Sequence, residues 1–129
     1  MTNYLGGHPE FTEKINDGKL EVTSDSLIFS RYIENPAVFK SGKYEKVFSI
    51  PLKTITGTKL DTARNVNLGK VLLVGLFAFG WKDKVLAVTF KDDMKMINTA
   101  VFIKGKLDEI NNQIISNRYQ LLKKVSRRA

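Results

Sequence analysis

Apolar and polar positions are most regular between Val85 and Lys124. Val85–Lys91 is rich in β-formers and reads as a strand, Asp92-Asp93 as a tight turn, and Met96–Ile103 as a second strand. Gly105 breaks the extended pattern. The period then changes from that of a strand to that of a helix. Leu107, Ile110, Ile114, Leu121 and Val125 recur at helical spacing, with Ile115, Tyr119 and Leu122 beside the row. The pattern predicts a helix to about Lys124 whose broad apolar stripe presses onto a sheet. Asp108 and Glu109 in its first turn, and Lys123, Lys124 and Arg127 at its end, complement the helix dipole.

Upstream, shorter alternating runs are separated by turn residues. Tyr4–Phe11 carries Gly6-Gly7 and His8-Pro9, which predict an irregular lead-in or an edge strand. Lys19–Thr23 alternates, Ser24-Asp25-Ser26 turns, and Leu27–Tyr32 resumes as a strand until Asn35-Pro36. In Tyr44–Ile50 the alternation puts Tyr44, Lys46, Phe48 and Ile50 on one side and Val47 on the other; Pro51 ends the run. Thr54–Leu60 reads as the next strand, and Asp61–Gly69 as a polar loop. Val71–Trp81 is the most apolar stretch but is too short to cross a bilayer as a helix, which takes about 20 residues. It fits a buried strand with a bulge at Gly75, a hydrophobic loop entering a membrane interface or partner, or a short helix capping the core. The sum is about seven strands followed by one helix. That order predicts a mainly-β (α+β) fold, an antiparallel meander with the helix over an open end or face.

Composition narrows the function more than the fold. A chain of 129 residues with 43% hydrophobic residues suffices for one core in a single domain. The expected core spans about residues 18–122, between a lead-in segment 1–17 and a basic tail 123–129. With no cysteine, disulfides, thiolate metal sites and cysteine nucleophiles are excluded. No basic stretch followed by an apolar run opens the chain, so no signal peptide and a cytoplasmic setting are expected. The net charge of +8 attracts polyanions, yet only Lys123–Arg128 is a cluster.

Chemistry is sparse. His8 is the single histidine, so neither an acid–histidine–nucleophile set nor a zinc site is expected. Gly75 and Gly80 fit no phosphate-binding fingerprint. Asp92-Asp93 reads as turn chemistry rather than a metal or catalytic pair. No enzyme activity, cofactor or metal is expected.

Residues Gly18–Ser30 resemble the opening hairpin of GRAM domains and bacterial pleckstrin-homology-like domains. Phe48–Ile55 is similar to their third and fourth strands, and Val85–Phe102 with the following helix to their closing elements. The resemblance covers roughly residues 18–122. It implies a seven-stranded antiparallel barrel, or orthogonal sheets, closed by a C-terminal amphipathic helix. It also implies a non-enzymatic binding module for anionic lipid or a protein partner. Headgroup-binding members gather cations around the first hairpin loop, which here is expected at Ser24-Asp25-Ser26 and has none; specific phosphoinositide recognition is therefore not expected. For peripheral membrane contact, the expected inserting side chains are Phe77, Phe79 and Trp81, flanked by Lys70, Lys82 and Lys84. Two other classes stay open. One is nucleic-acid binding through the basic surface, disfavoured because the strand aromatics alternate inward. The other is assembly through a free sheet edge or the helix.

Overall fold

The computed structural model of the chain describes residues 2–11, 13–34, 42–62 and 84–128. Its elements are β1 (Thr2–Gly6), β2 (Ile15–Val22), β3 (Ser26–Glu34), β4 (Gly42–Pro51), a 3₁₀ turn (Leu52–Thr54), β5 (Ile55–Thr62), β6 (Lys84–Lys91), β7 (Ile97–Ile103) and α1 (Leu107–Arg128). The seven strands form one antiparallel sheet in the order β4-β3-β2-β1-β7-β6-β5. The expected mainly-β fold, seven antiparallel strands with a C-terminal helix, is therefore what the chain adopts. The helix runs to Arg128, one turn past the expected end.

β1 corrects the reading of the N-terminus as a lead-in or edge strand. It lies mid-sheet, pairing with β2 and with β7, and all five of its residues are buried. It is the strand that joins the β2–β4 half to the β5–β7 half. The glycines that looked like breakers make that position possible. Gly7 has φ +105°, and a Cβ there would stand 1.7 Å from the Thr99 carbonyl oxygen of β7. Only a residue without a side chain fits so close to another backbone. The first hairpin is thus β1–β2, with residues 7–14 as its connection. Ser24-Asp25 belongs to the β2–β3 turn, where Thr23 Oγ1 accepts the Ser26 N–H at 3.1 Å.

β4 holds a second correction. Phe29 pairs with Phe48 and Ser30 with Lys46, so Val47 is an extra residue. Such a bulge reverses the facing of everything beyond it. Phe48 and Ile50 remain inside, whereas Tyr44 pairs with Tyr32 and both are exposed, at 44% and 40%.

The interior is filled by Tyr4, Leu20, Leu27, Phe29, Phe48, Ile50, Leu52, Ile55, Leu86, Val88, Phe90, Ala100, Phe102, Leu107 and Ile114. Tyr4 is its hub, with ring centroids 5.7, 5.1 and 5.7 Å from Phe29, Phe48 and Phe102. Each large apolar side chain buried here contributes about 1.5–3 kcal/mol of transfer free energy. Val85, Ala87, Val101 and Ile103 are buried on the opposite face of β6 and β7, so these strands are apolar on both faces.

The helix stripe is narrower than its pattern. Leu107 and Ile114 are buried and Ile110 and Leu121 partly so, but Ile115, Tyr119 and Leu122 are exposed. Polar anchors fix the helix beside the stripe. The Thr58 hydroxyl donates to Asn111 Oδ1 at 2.6 Å, and Asn117 Nδ2 donates to the Thr23 carbonyl at 3.0 Å. The helix crosses β2, the 3₁₀ turn and β5, closing one end of the sheet.

Candidate functional site

Five of the six residues expected at a membrane contact, Lys70, Phe77, Phe79, Trp81 and Lys82, lie outside the described residues. The sixth, Lys84, begins β6, and its ammonium stands 3.8 Å from the Asp108 carboxylate in the first turn of α1. Both side chains are largely exposed, so the pair adds little to stability.

Among the described residues, a cleft forms around His8 at the margin of the core, with Phe48, Ile50 and Phe90 in its lining. The connection after β1 folds back on the sheet because Tyr4 holds it. The Tyr4 hydroxyl accepts the His8 N–H at 2.8 Å and donates to the Phe11 carbonyl. Burial pushes the Tyr4 pKa up, partly offset by the His8 N–H. The His8 ring is stacked on Phe48 at 4.6 Å and flanked by Phe11 and Phe90 at 5.6 and 5.5 Å. Its Nδ1 accepts the Glu10 N–H at 3.1 Å. A neutral imidazole that accepts at Nδ1 carries its proton on Nε2. Burial lowers the His8 pKa, and the charges of Glu10 and Asp92 oppose the shift.

His8 is 8% exposed, and it lines a cleft of about 250 Å³. Val47–Pro51 of β4 forms one wall, Phe90–Asp93 the other, and His8-Pro9-Glu10 one end. The floor is aromatic and the rim acidic. Glu10, Asp92 and Asp93 face the single cation Lys91 among the lining residues. β4 and β5 are the sheet's two edges, so the β4 wall is an edge that no described strand pairs.

Asp92-Asp93 acts as turn chemistry, mostly through Asp92. Its Oδ1 accepts the N–H groups of Met94 and Met96 at 2.9 Å, and its Oδ2 accepts Asn98 Nδ2 at 2.9 Å. Chiefly the Met96 N–H holds its carboxyl below the usual range; desolvation opposes this, and Asn98, Met94 and His8 add to it. Lys95 closes the turn with φ +62°. The same turn exposes Met94, Met96 and Ile97, at 84%, 63% and 67%. Among the described residues no group of three or more His, Asp or Glu side chains could hold a metal ion.

A second, more open groove of about 560 Å³ runs between β2 and the start of α1. Lys19, Lys106, Glu21 and Glu109 balance one another along it, and Lys19 is already paired with Glu21 at 3.1 Å. Beside it, Tyr32 and Tyr44 meet edge-on at 5.5 Å, with the Lys19 ammonium 5.5 Å from the Tyr44 ring. These two tyrosines correct the expectation that the strand aromatics all turn inward.

Sequence reasoning weighed His8 and Asp92-Asp93 separately and did not find the cleft they line together. A lone histidine beside a proline carries no spacing signal, and the cleft joins segments remote in sequence. Compared with family models, curated proteins and solved structures, the chain matches none.

Proposed function

We propose that the chain is a non-enzymatic, pleckstrin-homology-like binding module that docks an extended segment of a protein partner along the β4 edge. The observation that carries this reading is the β4 edge, unpaired among the described residues, beside a cleft lined by Phe48 and Phe90. An edge strand offers a row of backbone donors and acceptors, and a pocket beside it supplies choice among side chains. The strand order, with the helix over one end, supports the family reading.

The test is panning of the full chain against a phage library of random seven-residue peptides, in parallel with sedimentation on phosphatidylcholine and phosphatidylserine vesicles. Enriched peptides that bind in solution are the expected result. Sedimentation with anionic vesicles and no enriched peptide would move the reading to peripheral membrane contact.

A second reading, single-stranded nucleic-acid binding, is favoured by the exposed Tyr32–Tyr44 pair beside Lys19 and Lys46 on a chain of net charge +8. Binding of labelled oligonucleotides with a steep salt dependence is its signature.

A further inference from the structure

We infer that the partner segment docked on β4 is acidic, and that Lys43 and Lys46 on that edge select it. The inference rests on the docking reading above and names the partner chemistry that reading leaves open. The ladder supplies the first observation. Val47 is the extra residue of β4, so an added strand keeps one register only along residues 42–46, a stretch of about 17 Å. The side chains of that stretch decide what pairs with it.

Their charge is the second observation. Lys19 on β2 stands 3.1 Å from Glu21, and Arg31 on β3 stands 3.6 Å from Glu45. Lys43 and Lys46 are exposed and form no ion pair among the described residues. Arg31 thus offsets Glu45, and the edge keeps two positive charges without partners among those residues. Lysines on an edge strand ordinarily deter pairing. An acidic strand turns the same charges into attraction, because opposite charges facing each other across two strands stabilise the pair and like charges destabilise it.

Tyr44 is the third. It lies on the same face as Lys46, two residues away along β4. Tyr32 meets it from β3, and the Lys19 ammonium reaches it from β2. Both contacts come from the sheet side, and Tyr44 stays 44% exposed. A strand added beyond β4 extends this row, and an aromatic or β-branched residue suits the place opposite Tyr44. Facing Lys46, Tyr44 and Lys43 in turn, the partner then presents an acid, an aromatic or β-branched residue, and a second acid. The place facing Glu45 is left open, since Arg31 already pairs with that carboxylate.

The panning experiment reads this pattern directly. Enriched peptides are expected to carry an acid, any residue, an aromatic or β-branched residue and a second acid, in that order or reversed. A synthetic peptide of that sequence should bind Lys43→Glu/Lys46→Glu about tenfold more weakly than the parent chain. Lys123→Glu/Lys124→Glu makes the same change of charge at exposed positions of α1, which packs on β2, the 3₁₀ turn and β5 rather than on β4. Affinity there should stay within about twofold of the parent, because distant surface charge is screened at about 0.15 M salt. Circular dichroism checks the fold of both variants. The peptide with its two acids changed to lysine should regain affinity in the Lys43→Glu/Lys46→Glu chain, a gain that damage to the fold cannot produce. Enriched peptides without the paired acids, or the same affinity in both variants, would overturn the acidic partner and leave the docking reading standing. Oligonucleotide binding that the edge variant loses, with no acidic peptide enriched, would overturn it too and assign the lysines to nucleic acid. No enriched peptide at all would overturn both.

Discussion

Replacing Tyr4 by Phe removes a single oxygen from the centre of the sheet, and the consequences can be worked through. The ring is fully buried among Phe29, Phe48 and Phe102, and phenylalanine keeps all of that packing. The change therefore isolates two hydrogen bonds, one accepted from the His8 N–H and one donated to the Phe11 carbonyl. Each is worth about 0.5–1.5 kcal/mol net, and a buried group left unpaired costs about 1–3 kcal/mol. The expected loss is about 2–3 kcal/mol. For a domain of this size that lowers Tm by about 10 °C. Urea unfolding should show a lower midpoint at an unchanged slope, and amide exchange at His8 should accelerate. A loss under about 0.5 kcal/mol would refute the claim that Tyr4 ties the β1–β2 connection to the sheet.

Gly18→Ala should cost about 1–3 kcal/mol by overpacking, because its Cβ would stand 2.3 Å from the buried Phe29 ring and 2.7 Å from the Ser30 carbonyl oxygen; an unchanged urea midpoint would contradict this register. Ile114→Ala should cost about 2–5 kcal/mol, whereas Tyr119→Ser on the exposed flank stays within about 0.5 kcal/mol, and similar losses at both sites would mean that the flank is also covered. Because burial lowers the His8 pKa, the unfolded chain protonates first as pH falls. Its contribution is then full above the unfolded value near 6.5 and is lost as pH drops toward the folded value. The urea midpoint should fall between pH 7.5 and pH 5 in the parent chain and fall less in His8→Phe; parallel profiles would argue against the linkage. Asp92, with its carboxyl held low, loses its contribution only at more acid pH, as pH falls through its depressed value.

Local pattern determined most of the elements. The β-former runs Leu27–Tyr32 and Val85–Lys91, the turn residues at Ser24-Asp25-Ser26 and Asp92-Asp93, and the helical spacing from Leu107 all act over a few neighbouring residues, so a linear reading captures them. Tertiary structure decided whatever depends on what lies across the sheet. Gly6 and Gly7 read as breakers because local propensity cannot know that β7 passes within contact of Gly7, where the missing side chain becomes the requirement for a central strand. The Val47 bulge turned Tyr44 outward because register is a property of two strands rather than one. Ile115 and Tyr119 look apolar in sequence but are left uncovered, because α1 meets the sheet along a narrower line than its stripe. The His8 cleft was the least legible of all. Its walls come from β4 and from β6 with its following turn, and its end from residues 8–10. Only the closure of β1 between β2 and β7 brings those segments together.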